Sequence, residues 1–161
     1  MKQSLNDFGI EGIRVPIYDD EKCRGCKNCA IEKSCPVKAA KVTDGKLYID
    51  KDLCKNCGVC TGKCPFGAIA PESETLFNIY VGGTWGKTSR KGTLLPYLVH
   101  REDIYPILGK SLLWFRENAY AKERFGAAID RIGEDKFLND ISGNDILTRK
   151  EEILSKEIKT R

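Results

Sequence analysis

The sequence predicts an α+β protein built from two consecutive units. Three observations carry that prediction. All eight cysteines fall between residues 23 and 64, and none lies in the last 97 residues. The cysteine-bearing stretch is itself an internal repeat. Beyond residue 75 the pattern changes to one apolar strand followed by apolar residues spaced three or four apart.

Residues 1–12 are expected to form an N-terminal segment that packs on the second unit. The first unit, residues 13–74, holds the repeat: Tyr18-Asp19-Asp20-Glu21-Lys22-Cys23-Arg24-Gly25-Cys26-Lys27-Asn28-Cys29 is echoed by Tyr48-Ile49-Asp50-Lys51-Asp52-Leu53-Cys54-Lys55-Asn56-Cys57-Gly58-Val59-Cys60. Each copy ends in Cys-Pro, at Cys35-Pro36 and Cys64-Pro65. Between the copies, Lys41-Val42-Thr43 and Leu47-Tyr48-Ile49 flank Asp44-Gly45, which suits the tight turn of a β-hairpin. Each copy therefore reads as strand, cysteine loop, short helix, strand. Pro71-Glu72-Ser73-Glu74 reads as a linker.

The second unit, residues 75–142, opens with a strand over 76–81 that ends at Gly82-Gly83-Thr84-Trp85-Gly86. From Arg101 the pattern turns helical, with Ile104, Ile107, Leu108, Leu112 and Phe115 as one periodic run and Phe125, Ala128, Ile129 and Ile132 as a second. These residues are assigned to the core, as are Trp85 and Trp114. Gly133 supplies a helix stop. His100, the only histidine, precedes a helix start and is assigned a surface or capping role. Residues 143–161 form a charged helical tail whose apolar side is Ile146, Leu147, Ile153, Leu154 and Ile158.

Composition excludes several classes. The formal charge is +4, but charges are interspersed, with 12 basic and 11 acidic residues before position 76, so no basic face points to nucleic acid. The apolar runs are far shorter than the roughly 18 residues of a membrane span. The N-terminus lacks the apolar core of a signal peptide, which places the protein in the cytoplasm. Disulfides are disfavoured in that setting.

The run Cys54-x2-Cys57-x2-Cys60-x3-Cys64-Pro65 matches the signature of bacterial two-cluster ferredoxins, in which three thiolates reach three corners of one 4Fe-4S cube and the fourth cysteine ligates the other cube. On that rule one cluster takes Cys23, Cys26, Cys29 and Cys64, and the second takes Cys54, Cys57, Cys60 and Cys35. In the first run five residues rather than three separate Cys29 from Cys35, so two extra residues are expected to bulge. Zinc uses Cys-x2-Cys pairs, and a third cysteine at that spacing, twice, leaves it with awkward remainders. Two oxidised cubes with their thiolates, at about −2 each, would bring the net charge near zero.

Gly82-Gly83-Thr84-Trp85-Gly86-Lys87-Thr88-Ser89-Arg90-Lys91-Gly92 could bring backbone N–H groups and cations to an anion, or be a solvated turn. Its glycine spacing does not fit a P-loop. The order of Asp7-Phe8-Gly9-Ile10, the two-cluster insert, Tyr80-Val81-Gly82-Gly83-x-x-Gly86-Lys87-x-x-Arg90, Glu123-Arg124-Phe125-Gly126 and Asp130-Arg131-Ile132-Gly133 resembles the C-terminal part of sirohaem nitrite and sulfite reductases. It is most similar to anaerobic and dissimilatory sulfite reductase subunits that carry an inserted ferredoxin domain.

The resemblance implies a ferredoxin domain followed by an α+β half-domain that helps enclose sirohaem. Gly82, Gly83, Gly86, Lys87 and Arg90 would lie near the macrocycle, with Lys87 and Arg90 facing its carboxylates or an oxyanion. Lys87 stands where the family usually has arginine, which removes a bidentate contact. The family couples sirohaem to a further 4Fe-4S cluster through paired cysteines, the second pair expected just upstream of Asp7. The chain begins near that point and its cysteines are committed, so sirohaem is expected only with a partner or a missing segment.

The function expected is that of an electron-transfer protein related to sulfite reductase. It would relay single electrons from a donor protein to a reductase subunit, with no catalytic residue of its own. The alternatives are a sirohaem-binding catalytic subunit and a partner-binding module whose clusters serve structure or sensing.

Overall fold

The computed structural model describes residues 3–70 and 75–160 of the chain. The linker assigned to residues 71–74 lies outside the described residues. The chain divides into two compact units, one of Gly12–Leu76 and one of Met1–Glu11 with Phe77–Arg161.

In the Gly12–Leu76 unit the repeat is visible in the backbone. Asp19 and Asp50 open the two cysteine loops with the same turn: one Oδ1 accepts the amides of Glu21 and Lys22, the other those of Asp52 and Leu53. Gly25 and Asn56 then take left-handed conformations, φ +59° and +49°, between the first and second cysteine of each run. A glycine is required at the first, because a Cβ there would lie 2.1 Å from the Gly45 carbonyl oxygen. Lys38 and Gly67, each three residues past a Cys-Pro cysteine, are left-handed too, and their amides donate to the carbonyls of Cys35 and Cys64.

The central hairpin pairs β2 (Ala40–Thr43) with β3 (Lys46–Ile49), Ala40 opposite Ile49 and Thr43 opposite Lys46. Its turn has positive φ at both Asp44 and Gly45, as a type I′ turn demands. A second ribbon forms where Tyr18 bridges Ile69, so strand ends flank both cysteine loops. The expected bulge after Cys29 is instead a helix, α1 (Ala30–Ser34), which absorbs the longer spacing and buries Ile31.

The second unit is a three-stranded sheet in the order β1 (Phe8–Arg14), β4 (Thr75–Val81), β5 (Thr93–Leu94), with helices packed on it. The helices are α2 (Ile104–Asn118), α3 (Phe125–Ile132), α4 (Glu134–Ser142), α5 (Asp145–Thr148) and α6 (Lys150–Ser155). Trp114 is the hub of the core. Its ring meets Phe137 edge-on at 4.8 Å between centroids, and its indole N–H donates to Asp140 at 2.9 Å, so the buried polar edge is satisfied. Ile146 and Ile153 from α5 and α6 complete this core, and α2 is the element they pack on.

Three assignments fail here. Leu112 is 53% exposed and Trp85 is 72% exposed, and of the tail's apolar side only Ile146 and Ile153 are buried. Lys110 and Ser111 occupy buried positions of α2 that an apolar period does not flag. Ser111 satisfies its hydroxyl on the Ile107 carbonyl at 2.8 Å.

Candidate metal centre

The eight cysteines are unpaired thiols, and seven of them are half-buried; Cys57 is exposed. Cys54, Cys57 and Cys60 line one narrow pocket together with Cys35, which comes from the other copy of the repeat. Pro16, Val37 and Ile49 give that pocket apolar walls. The Cys60 thiol is pushed up by burial first, and then by the negative charge of Cys54, Cys57 and Cys35. Thiolates gathered there repel one another, and bound cations relieve that repulsion. Among the described residues no three His, Cys, Asp or Glu groups converge on a point that a single ion could fill. Three cysteines of one run and one of the other on a single pocket suit an iron–sulfur cofactor.

Cys23, Cys29 and Cys64 pack against Ile31, Ala40, Leu47 and Ile69, and Cys26 follows from the loop turned by Gly25. Around Cys23 burial raises the thiol pKa, but the Tyr18 hydroxyl, the Gly25 and Leu47 amides and the Lys46 charge outweigh it, and the net shift is downward. The Tyr18 hydroxyl is buried and has no hydrogen-bond partner of good geometry. Burial and the adjacent Cys23 push its own pKa up to about 12. An orphaned donor beside a thiolate is what a sulfur-rich cofactor would satisfy. Cys35 is likewise held down, with burial opposing and the amides of Ala40, Val37, Ala39 and Lys38 prevailing; the Ala39 amide lies 3.3 Å from its sulfur.

The glycine loop divides in two. Gly82 and Gly83 are buried, and their hydrogens are what fit: a Cβ on Gly83 would lie 2.5 Å from the carbonyl oxygens of Ser4 and Asn6. Thr84 and Arg90 exchange backbone hydrogen bonds at 2.9 and 3.0 Å, closing a loop whose tip carries Gly86, Lys87 and Trp85 in solvent. Arg90 spends its donors at the base. It is bidentate to Asp130 at 2.7–3.0 Å, reaches Glu134 and Thr93, and donates to the carbonyls of Gly82 and Lys91. Lys87 is thus the member of the assigned pair with an exposed charge, whereas the Arg90 guanidinium is engaged at the base of the loop. The Asp130 clamp was not legible in the sequence because it spans 40 residues.

Similarity to known proteins agrees with this composition of units. Residues 1–146 match the family described as the nitrite and sulphite reductase 4Fe-4S domain. A coenzyme F420-dependent sulfite reductase of Methanocaldococcus jannaschii is 29% identical over 160 residues, covering 98% of this chain and 24% of that protein. The pyruvate synthase subunit PorD of the same organism is 43% identical over 60 residues, 37% of this chain and 67% of that subunit. Among solved structures, dissimilatory sulfite reductase I shares the fold with a TM-score of 0.56 at 18% identity, over 87% of this chain and 39% of that one. The chain spans between 11% and 42% of the length of the first curated relatives. The chain belongs to the nitrite and sulphite reductase 4Fe-4S domain family, as an iron–sulfur domain of α+β fold related both to sulfite reductase and to ferredoxin-like subunits of oxidoreductases.

Proposed function

We propose that the protein is a one-electron relay of the cytoplasm, holding two 4Fe-4S clusters in its Gly12–Leu76 unit and passing electrons from a donor protein to a reductase subunit. Cys23, Cys26, Cys29 and Cys64 hold one cluster; Cys54, Cys57, Cys60 and Cys35 hold the other. Bound there, each cubane supplies reversible one-electron chemistry at a potential set by its surroundings. The observation that carries the reading is the pocket in which Cys35 joins the three cysteines of the opposite run.

The chain's own residues prepare for the clusters. Amides around Cys35 and Cys23 stabilise thiolate, which binds metal. The hairpin and α1 exclude water from one side. Cys57 opens the other site to a partner, with the Arg14 side chain packed over Gly58 next to it. Among the described residues no helix is long and apolar enough to cross a membrane.

The family tie and the exposed Lys87 support a second reading, in which the loop of Gly82, Gly83, Gly86, Lys87 and Arg90 completes a sirohaem site with a partner or another segment. In that case Lys87 meets the anionic edge and Arg90 holds the loop. Iron and acid-labile sulfide analysis of anaerobically prepared protein, read with its visible spectrum, separates these readings. The relay predicts about eight of each per chain and no red-region sirohaem bands. About four of each would overturn the two-cluster assignment; red bands in the isolated chain would make the catalytic reading the leading one.

A further inference from the structure

The two cysteine loops present different faces. Cys57, the middle cysteine of its run, is exposed, whereas its counterpart Cys26 is half-buried. The backbone differs there too. Asn56 and Gly58 flank Cys57 with φ of +49° and +72°, while around Cys26 only Gly25 is left-handed and Lys27 stands in the place of Gly58. Arg14 is held against this turn: its amide donates to the Asn56 carbonyl at 2.7 Å, and it bridges Cys57 in parallel register. A Cβ on Gly58 would lie 2.6 Å from Arg14 Cδ, so the arginine stem covers the glycine. Lys55, on the wall of the pocket that Cys57 lines, is exposed, as is Arg14, and among the described residues neither side chain makes a hydrogen bond or an ion pair. Val37 and Val59, 39% and 42% exposed, line the same pocket, and no acidic residue does so among the described residues.

We propose that this face is the docking surface for an acidic redox protein, whose carboxylates meet Arg14 and Lys55 while Val37 and Val59 form the dry contact beside Cys57. The proposal rests on the relay reading and adds to it the port and the charge of the partner. An electron carrier must bring its cofactor near a cluster ligand, and Cys57 is the exposed one. Exposed valines among unpaired cations suit the apolar centre and polar rim of a transient interface. Such cations raise the rate of encounter with an acidic surface and repel a basic one. The first loop also carries exposed cations, Arg24 and Lys27, but no exposed cysteine, and it serves as the internal control.

The test is isothermal titration of the anaerobic, cluster-loaded full chain with flavodoxin, an acidic redox protein, and with cytochrome c, a basic one, all components oxidised so that binding alone is read. Flavodoxin is expected to bind one to one and to weaken about tenfold or more when salt is raised to about 0.5 M. Lys55→Glu reverses an exposed charge, and Arg14→Gln keeps the stem over Gly58. Each is expected to weaken flavodoxin about threefold to tenfold, and Arg24→Glu less than about twofold. Should one variant fail to load its clusters, the other decides. Failure of the unmodified chain to hold iron or to bleach with dithionite would refute the relay itself, and the docking with it. A chain that holds iron and bleaches, yet leaves flavodoxin unbound, binds cytochrome c more tightly, or responds to Arg24→Glu as strongly as to Lys55→Glu, overturns the docking surface alone.

Discussion

The two copies of the cysteine repeat share a backbone and differ in what surrounds it. Both open with an aspartate-capped turn, both turn left-handed between the first two cysteines, and both leave by Cys-Pro and a left-handed residue. Yet Cys23 sits beside a tyrosine hydroxyl, two amides and a lysine that together favour thiolate, whereas half-buried Cys60 faces partial desolvation and the charge of other thiols, which disfavour it. Cys57 opens to solvent in the second copy, and no cysteine of the first copy is as exposed. Identical ligand spacing can thus present two electrostatic environments. The proposed relay would use that difference, because electrons move toward the site of higher potential.

The comparison can be broken most severely at the ligands. Cys35→Ala and Cys57→Ala, from different copies, are expected each to lose the same cluster, about half of the iron and sulfide, and the double variant no more than either alone. Loss of a different cluster by each would end the exchange of ligands between copies. Gly25→Ala probes the backbone that the copies share. Strain at φ +59° and the contact with Gly45 are expected to cost about 3 kcal/mol in chemical denaturation. The matching Asn56→Gly is expected to stay within about 0.5 kcal/mol, since glycine accepts the conformation freely.

A subtler change sharpens the contrast in environment. Tyr18→Phe removes the orphaned donor beside Cys23 and is expected to lower the potential of one cluster by roughly 20–60 mV, a hydrogen bond's worth for one electron, while the other cluster holds. Equal shifts of both, or none, would show that the hydroxyl does not serve the first site. In the glycine loop, Arg90→Ala is expected to cost about 2 kcal/mol through the lost Asp130 and carbonyl contacts. Lys87→Ala is expected to leave stability within about 0.5 kcal/mol, because the side chain stands in solvent.

What was legible in the sequence follows from the range of the interactions. The cysteine loops, the Asp44-Gly45 hairpin and the stop at Gly133 depend on residues a few positions apart, and each reads locally. Strand β1 does not read locally because Gly9 and Gly12 interrupt its alternation, and its partner β4 lies more than sixty residues on. Leu112 fitted a helical period but faces water, while Trp114, Lys110 and Ser111 hold the buried face of α2. The Arg90 clamp and the Arg14 contact at Cys57 join residues from separate elements, and no local pattern announces them.

The central claim is that one unit carries two redox-active cubes in unequal surroundings, and a potentiometric titration of the holo-protein followed by electron paramagnetic resonance tests it most directly. The account predicts two one-electron steps at different potentials, the signal of the first reduced cluster broadening into an interaction spectrum as the second is reduced. A single one-electron step accounting for all the bound iron would contradict it.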